Sequence, residues 1–472
     1  MNRRKFFRNG SLFTLGTAFI SPFQATATPV TPDFTDKNRK AKNIILLVSD
    51  GMSSGTLNMA DLYLNRKTGV GSNWLQLYKD NRVSRALMDT ASASSIVTDS
   101  AAASSSWGGG FRVKNGSLNV GPDGEVHLPI WQKFKKIGKM AGCVTTVPIT
   151  HATPAGFCVN SKSRNSQEDI ADMYLELGFD IMMGGGQKYF DASSRKDKKD
   201  MFAAFSAKGY QVVRNREEMM QTSNEKPVLG VFDEDALPYS IDRNSDEKLK
   251  QTIPSLAEMA QKAIDRMKNH PKGFVLQIEA GKVDWAAHAN DISGLIYDQV
   301  AFDEAIKVAI EFAEKDKNTL VIITTDHGNA NPGVIYGKNA NANFDTIQKY
   351  KHTNEWILNA IHPTSTLSQV KEIVDFANDS AISDEDAKIV LSYYDGLHKE
   401  EGGIYNYKKL PFKAFAEMQQ KTNSVGWISM DHSADYVELA AFGPGSQLLK
   451  PFIKNIDLHY LMLQAAEVEN KF

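Results

Sequence analysis

Residues Asn43–Asp50 read NIILLVSD. The run from Ile44 to Val48 is apolar without a polar break, so neither face of the segment is marked for water. That pattern predicts a short strand buried on both sides, as strands of parallel sheets are. Three more segments repeat it: AGCVTTVPI (141–149), GFVLQIEA (273–280) and TLVIITTD (319–326). Between them lie segments of helical period, QEDIADMYLELG (167–178), SLAEMAQKAIDRMK (255–268) and VAFDEAIKVAIEFAEK (300–315). Strands alternating with amphipathic helices predict an α/β fold, a largely parallel central sheet with helices on both faces. In such sheets ligands collect beyond the carboxyl ends of the strands.

Acids stand at those ends. The first strand stops at Asp50, the third at Glu279 and the fourth at Asp326, with His327 next to it. Each acid alone reads equally well as the N-cap of a following helix. Three on one edge repel one another unless cations lie among them, and a metal site resolves the conflict. Beyond Glu279, Asp284 and His288 are four residues apart, one helical turn, so both can face one ion. Asp431-His432 precedes a further strand, YVELAAF (436–442), and supplies another imidazole. Oxygen and nitrogen donors in small numbers suit zinc, and all-oxygen sets suit magnesium.

SSIVTDSAAASSSW (94–107) places Asp99 and Ser100 at the opening of an alanine-rich helix. Asp99 fits a capping residue there. Ser100 fits a nucleophile, because a helix start offers unpaired N–H groups and partial positive charge to an anion.

The chain has 472 residues, 42% of them hydrophobic and 23% charged, with a net charge of −2. It is long enough for one large α/β domain, and its charge gives no electrostatic case for nucleic-acid binding. The amino-terminal MNRRKFFRNG carries four basic residues ahead of the apolar SLFTLGTAFI, with Ala25-Thr26-Ala27 behind. Residues 1–27 therefore read as a signal peptide of twin-arginine type, leaving a mature chain 28–472 in the periplasm or outside the cell. Cys143 and Cys158 are the two cysteines. They are too few for a framework, but an oxidising compartment lets them pair, and a bridge is weakly favoured. His127, His270, His352, His362, His398 and His459 have no spacing that ties them to the acids and read as structural or surface residues.

In chain order, VSDGM (48–52), VTDSAA (97–102), HATPAGFCVNSKSRN (151–165), IEAGKVDWAAH (278–288), TTDHGN (324–329) and DHS (431–433) resemble the bacterial alkaline phosphatases of the dizinc, serine-nucleophile type. The resemblance runs from about residue 40 to about residue 445, less one insertion. It implies Ser100 as nucleophile and a phosphoserine intermediate in the hydrolysis of small-molecule phosphate monoesters. It implies one zinc on Asp284, His288 and His432, and a second on Asp50, Asp326, His327 and the Ser100 oxygen. A magnesium would sit with Asp50, Thr153 and Glu279, and Arg164 would grip two phosphate oxygens. His151 and Trp285, placed against the substrate, stand where the best-known enteric branch has an acid and a lysine. Other bacterial members carry His and Trp there, so the change bears on the third metal's water shell and on phosphate affinity, not on whether the site works.

Residues 330–430 separate His327 from His432 and carry helical signals of their own, TLSQVKEIVDFAN (366–378) and DEDAKIVLSYY (384–394). They are expected to fold as an inserted subdomain, either a cap over the cleft or an arm of a homodimer. Two other functions fit less well. A related metallohydrolase for phosphodiesters, sulfate esters or phosphonates lacks the need for Arg164 together with a third cation. A secreted metal- or phosphate-binding protein without chemistry has no need of Ser100.

Overall fold

A computed structural model describes residues 40–400 and 402–470; the signal peptide expected over residues 1–27 lies outside them. The strand that opened the reading is β1 (Asn43–Ser49), and all seven of its residues are buried. Ile45 and Leu47 enter one hydrophobic core, while Ile44, Leu46 and Val48 enter another on the opposite face. The unbroken apolar run is therefore the consequence of two cores sharing one strand.

The sheet has ten strands: β1, β2 (Ser84–Asp89), β3 (Met140–Pro148), β4 (Ile181–Gly185), β5 (Gln211–Val213), β6 (Val228–Val231), β7 (Phe274–Ala280), β8 (Thr319–Thr324), β9 (Val437–Phe442) and β10 (Phe452–Lys454). Their order across the sheet is β10-β2-β9-β8-β1-β7-β3-β4-β6-β5. Only β9 runs against both neighbours, β2 and β8; the other pairings are parallel. Register aligns the carboxyl ends: Val48 lies opposite both Glu279 and Thr324, and Thr145 lies opposite Glu279. Asp50, Glu279 and Asp326 thus come to one edge, as the strand endings suggested.

The helices expected at 167–178 and 255–268 form as Gln167–Leu177 and Leu256–Met267. The one expected from 300 starts earlier and runs Ile292–Asp316, capped by Asp291, whose carboxylate accepts the Ser293 and Gly294 N–H groups. Its first turns are buried on nearly every side, so they show no helical stripe to read. Among the described residues no helix is long and apolar enough to cross a membrane.

Residues 330–430 fold as helices around a core of their own, built on Ile357, Val374, Tyr394 and Phe415. Two short antiparallel pairings close the base of this segment. Gly333–Val334 pairs with Val425–Gly426, and Gly328–Asn329 pairs with His432–Ser433. The second pairing brings His432 beside His327. Cys143 on β3 and Cys158 at the end of the helix Ala152–Cys158 correct the weak expectation of a bridge: they are separate buried thiols with their sulfurs 3.6 Å apart.

Candidate active site

β1 delivers Asp50 and then turns at Gly51. A Cβ there would sit 2.4 Å from Asp284 Oδ1 and 2.9 Å from the Asp284 backbone, and φ is +66°. Glycine is what lets the two acid-bearing segments touch. The Gly51 N–H donates to Asp326 Oδ1 at 3.0 Å, tying the first and fourth strand ends together.

Ser100 is the first residue of the helix Ser100–Gly109, every residue of which is buried. Asp99 caps it, accepting the Ala102 N–H at 2.9 Å. The capping role expected of Asp99 is therefore filled, and Ser100 stands at the helix start. The small residues of this helix serve close packing: a Cβ on Gly156 of the helix Ala152–Cys158 would lie 2.0 Å from Ser104 Oγ. The same close approach brings His151 and Thr153 near Ser100.

The Ser100 hydroxyl stands 3.3 Å from His327 Nε2 and 3.5 Å from Asp50 Oδ1. His327 Nε2 lies 3.2 Å from Asp326 Oδ2. Thr153 Oγ1 donates to Asp50 Oδ2 at 3.3 Å, and the Glu279 carboxylate accepts from Thr145 Oγ1. Asp284 Oδ2 is 3.4 Å from His288 Nε2, and Asp284 Oδ1 is 3.5 Å from His432 Nε2. Arg164 donates to Asp99 Oδ2 at 3.0 Å, and its other terminal nitrogen lies 3.1 Å from His151 Nε2. Trp285 meets the His151 ring edge-on, with centroids 6.2 Å apart. A cavity of about 540 Å³ opens onto Ser100, His151, Arg164, Asp284, Trp285, His288 and His432. Asp50, Thr153, Glu279, Asp326 and His327 are buried beneath it.

Three groups have donor atoms close enough to share an ion: Asp284, His288 and His432; Asp50, Asp284 and His327; and Asp50, His151 and Glu279. The imidazoles make the strongest test of fit. Nδ1 of His288 faces the Met430 carbonyl at 2.6 Å, Nδ1 of His432 faces that of Thr98 at 2.9 Å, and Nδ1 of His327 faces that of Gly328 at 3.3 Å. Each Nδ1 therefore carries a hydrogen, which leaves Nε2 as the position for a metal or an exchangeable proton, the usual arrangement of a ligating histidine. The Nε2 atoms of His288 and His432 then point at each other across 3.1 Å. A gap of that length must be bridged, by a shared proton when no metal is bound or by a cation when one is. Buried Glu279 Oε1 and Asp326 Oδ2 likewise have no hydrogen-bond partner among the described residues.

The charges agree with this. Burial, then the Asp326, Asp284 and Glu279 carboxylates, push Asp50 well above the usual carboxylate range. Burial pushes Glu279 up to about 7. Burial also acts to raise Asp284, but His288 and His432 outweigh it and hold that carboxyl far below its ordinary value. For His432 burial acts downward, and Asp284 reverses it, pushing the imidazole up to about 9. Burial, then the Arg164 guanidinium, bring His151 down to about 3, so its ring is neutral. Without cations, then, Asp50 and Glu279 are buried acids that resist ionisation.

Sequence reasoning overlooked two residues that hold the ligand set in place. Asn329 donates to Asp284 Oδ1 at 2.7 Å, and Thr145 donates to Glu279. Asn329 stands within TTDHGN, but nothing about an amide there announces a partner 45 residues away. His151 lies nearer the third ion group than a substrate contact alone requires.

A buried serine at a helix start, set among acid and histidine clusters on the carboxyl edge of a parallel sheet, defines a metal-dependent hydrolase of the α/β class. A model of the alkaline phosphatase family matches residues 41–468, and the chain belongs to that family; it is a phosphatase. It is 30% identical over 424 residues to alkaline phosphatase 4 of Bacillus subtilis, covering 88% of this chain and 87% of that one. It is also 30% identical over 464 residues to alkaline phosphatase 3 of the same organism, covering 95% of each. The crystal structure of Thermus thermophilus alkaline phosphatase superposes with a TM-score of 0.84 at 31% identity, covering 96% of both chains.

Proposed function

We propose that this protein hydrolyses phosphate monoesters to an alcohol and inorganic phosphate through a phosphoserine on Ser100. The observation that carries the proposal is the position of the Ser100 hydroxyl, within 3.5 Å of both His327 and Asp50 and at the mouth of the Arg164 cavity. Zinc held by Asp284, His288 and His432 and by Asp50, Asp326 and His327, with magnesium by Asp50, Thr153 and Glu279, supplies Lewis-acid charge that acidifies hydroxyls and neutralises phosphoryl oxygens. His151 would add a nitrogen beside the oxygens of the third group.

The residues divide the remaining work. Arg164, oriented by its hydrogen bond to Asp99, takes two phosphoryl oxygens in its planar fork. The helix start at Ser100 directs partial positive charge at the same group. Ser100 Oγ loses its proton, forms the bond to phosphorus and expels the ester oxygen, which leaves on the His288 and His432 side and is protonated to the alcohol. Water then breaks the Oγ–P bond and restores the serine. The groups that grip the substrate address its phosphoryl end, so many alcohols are accepted. The export leader over residues 1–27 and a two-fold assembly belong to the same proposal, with cell fractionation and light scattering as their readouts.

Ser100→Ala is expected to lower kcat by about 10³-fold or more. Acid quench of the native enzyme during turnover should leave phosphate on the peptide containing Ser100. Inversion at phosphorus with a chiral ester, or near-normal turnover by Ser100→Ala, would sink the phosphoserine route.

A further inference from the structure

A second cavity, of about 510 Å³, lies between the core and the helix Asn354–Ala360 of the inserted segment. Tyr239 and Lys282 line it from the core side, and Glu355, Trp356, Asn359 and Ala360 from the insertion. None of these belongs to the three ion groups.

Lys282 is the unusual member. It is only 5% exposed, yet it lines this cavity. Its ammonium stands 3.6 Å from the centre of the Tyr239 ring and 4.9 Å from that of Trp285. Among the described residues, no carboxylate or carbonyl takes a hydrogen bond from it or pairs with it as an ion. Ring faces attract a cation but accept little from its three N–H groups.

The neighbouring acids have hydrogen-bond partners of their own, and the Lys282 charge reaches Asp233 and Asp298 only at longer range. Asp242 accepts from Thr353 Oγ1 at 2.7 Å and faces His352 Nδ1 at 3.0 Å. Asp233 accepts the Glu234 N–H at 2.7 Å, and Asp298 accepts that of Ser240 at 3.0 Å. Among the described residues the Glu355 carboxylate has no such hydrogen-bond partner. Helix geometry explains how Lys282 comes to face away from the ions: it precedes Asp284 by two residues, about 200° around the helix. Trp285 stands between the two cavities, touching His151 on one side and Lys282 on the other.

We propose that this cavity is a subsite for an organic anion, a carboxylate or phosphate seated on the Lys282 ammonium with its carbon body against Tyr239 and Trp356. Glu355 accepts an O–H or N–H from that body and repels a bare polyanion, which selects an organic ligand over an inorganic one. The same anion chemistry has two sources. One is the far end of an ester whose phosphoryl group lies at Ser100, reaching past Trp285; the other is a separate free anion. The first source deepens the phosphatase reading and rests on it.

The test compares phenyl phosphate with its analogue bearing a para-carboxyalkyl chain, in the native enzyme, Lys282→Met, Lys282→Arg and Ala360→Trp. The last variant fills the cavity from the opposite wall without touching the Asp284 helix. For an ester tail, the native enzyme should favour the carboxylate ester by roughly tenfold in kcat/KM, mainly through KM. Lys282→Met and Ala360→Trp should lose that preference, Lys282→Arg should keep it, and phenyl phosphate turnover by Ala360→Trp should stay near native. For a free anion, added phenylacetate should alter phenyl phosphate kinetics in the native enzyme without competing with inorganic phosphate, and not in Ala360→Trp. Indifference of the native enzyme to both the tail and phenylacetate overturns the subsite, as does a preference that Ala360→Trp retains. Failure of the native enzyme to hydrolyse either ester sinks the phosphatase reading instead. Calorimetric titration of phenylacetate then judges the cavity alone, and no binding to the native protein overturns it.

Discussion

Asp99 does three things with one carboxylate: it caps the serine helix at Ala102, accepts the Gly116 N–H at 2.9 Å and orients Arg164. Asp99→Ala is expected to cost about 1 kcal/mol of stability as a lost cap and to lower kcat/KM about tenfold through KM. The catalytic loss should largely vanish in an Arg164→Ala background, because Asp99 acts on substrate through that arginine; a double-mutant cycle measures this. Asp298 gives a prediction of another kind. It is buried, and burial pushes its carboxyl up to about 7 from the ordinary 3.8. The folded protein thus holds this proton more tightly than the unfolded chain does. The stabilisation is complete below about pH 4 and is lost as pH rises through about 7. Asp298→Asn keeps an acceptor for Ser240 and removes the titration, so its Tm relative to the native protein should rise by roughly a few °C between pH 4 and pH 8. A flat difference would show that Asp298 does not titrate there.

At the scale of elements, the site depends on how closely two helices approach. The helix Ser100–Gly109 carries Ser100, and the helix Ala152–Cys158 carries Thr153 with His151 at its cap. Gly156 meets Ser104 and Gly108 meets the Gly156 carbonyl at distances that leave no room for a methyl group. Gly156→Ala must push the helices apart, and an overpacked core contact costs about 1–3 kcal/mol. Denaturant midpoints should fall by that amount, and kcat should fall with them, since Ser100 shifts relative to Asp50. The elements also show where sequence patterns stop. β1, β3, β7 and β8 were legible because burial on both faces writes a largely apolar run, broken in β3 by Thr145-Thr146 and in β7 by Gln277. β2 and β10 were not, because they lie towards one end of the sheet with exposed Leu87 and Phe452. The first turns of Ile292–Asp316 were hidden for the opposite reason, being buried all round.

Across the whole molecule, the carboxyl edge gathers more acid than the fold can hold by itself. Asp50, Glu279, Asp284 and Asp326 are each buried, and the first two are pushed upward in pKa. Dialysis against a chelator should therefore lower Tm as well as abolish activity, and zinc with magnesium should restore both. Loss of activity at constant Tm would mean that the cations serve chemistry but not stability. The insertion leaves and re-enters the sheet edge through two short antiparallel pairings, so its placement sets the distance from His432 to His327.

The strand pattern, the acids at strand ends, the Asp284–His288 spacing and the Asp99-Ser100 pair were all settled by the chain locally. They depend on periods of two and 3.6 residues and on what can follow a strand or open a helix, and such information is contained in a few neighbours. Which imidazole nitrogen faces inward was decided elsewhere, by carbonyls of Met430, Thr98 and Gly328 that only folding brings near. The same holds for Asn329 on Asp284, for the cavity around Lys282 and for two thiols that stop short of a bond. These are relations between segments far apart in the chain, fixed by packing geometry to within an ångström, and no periodicity in a linear sequence encodes a distance of that kind.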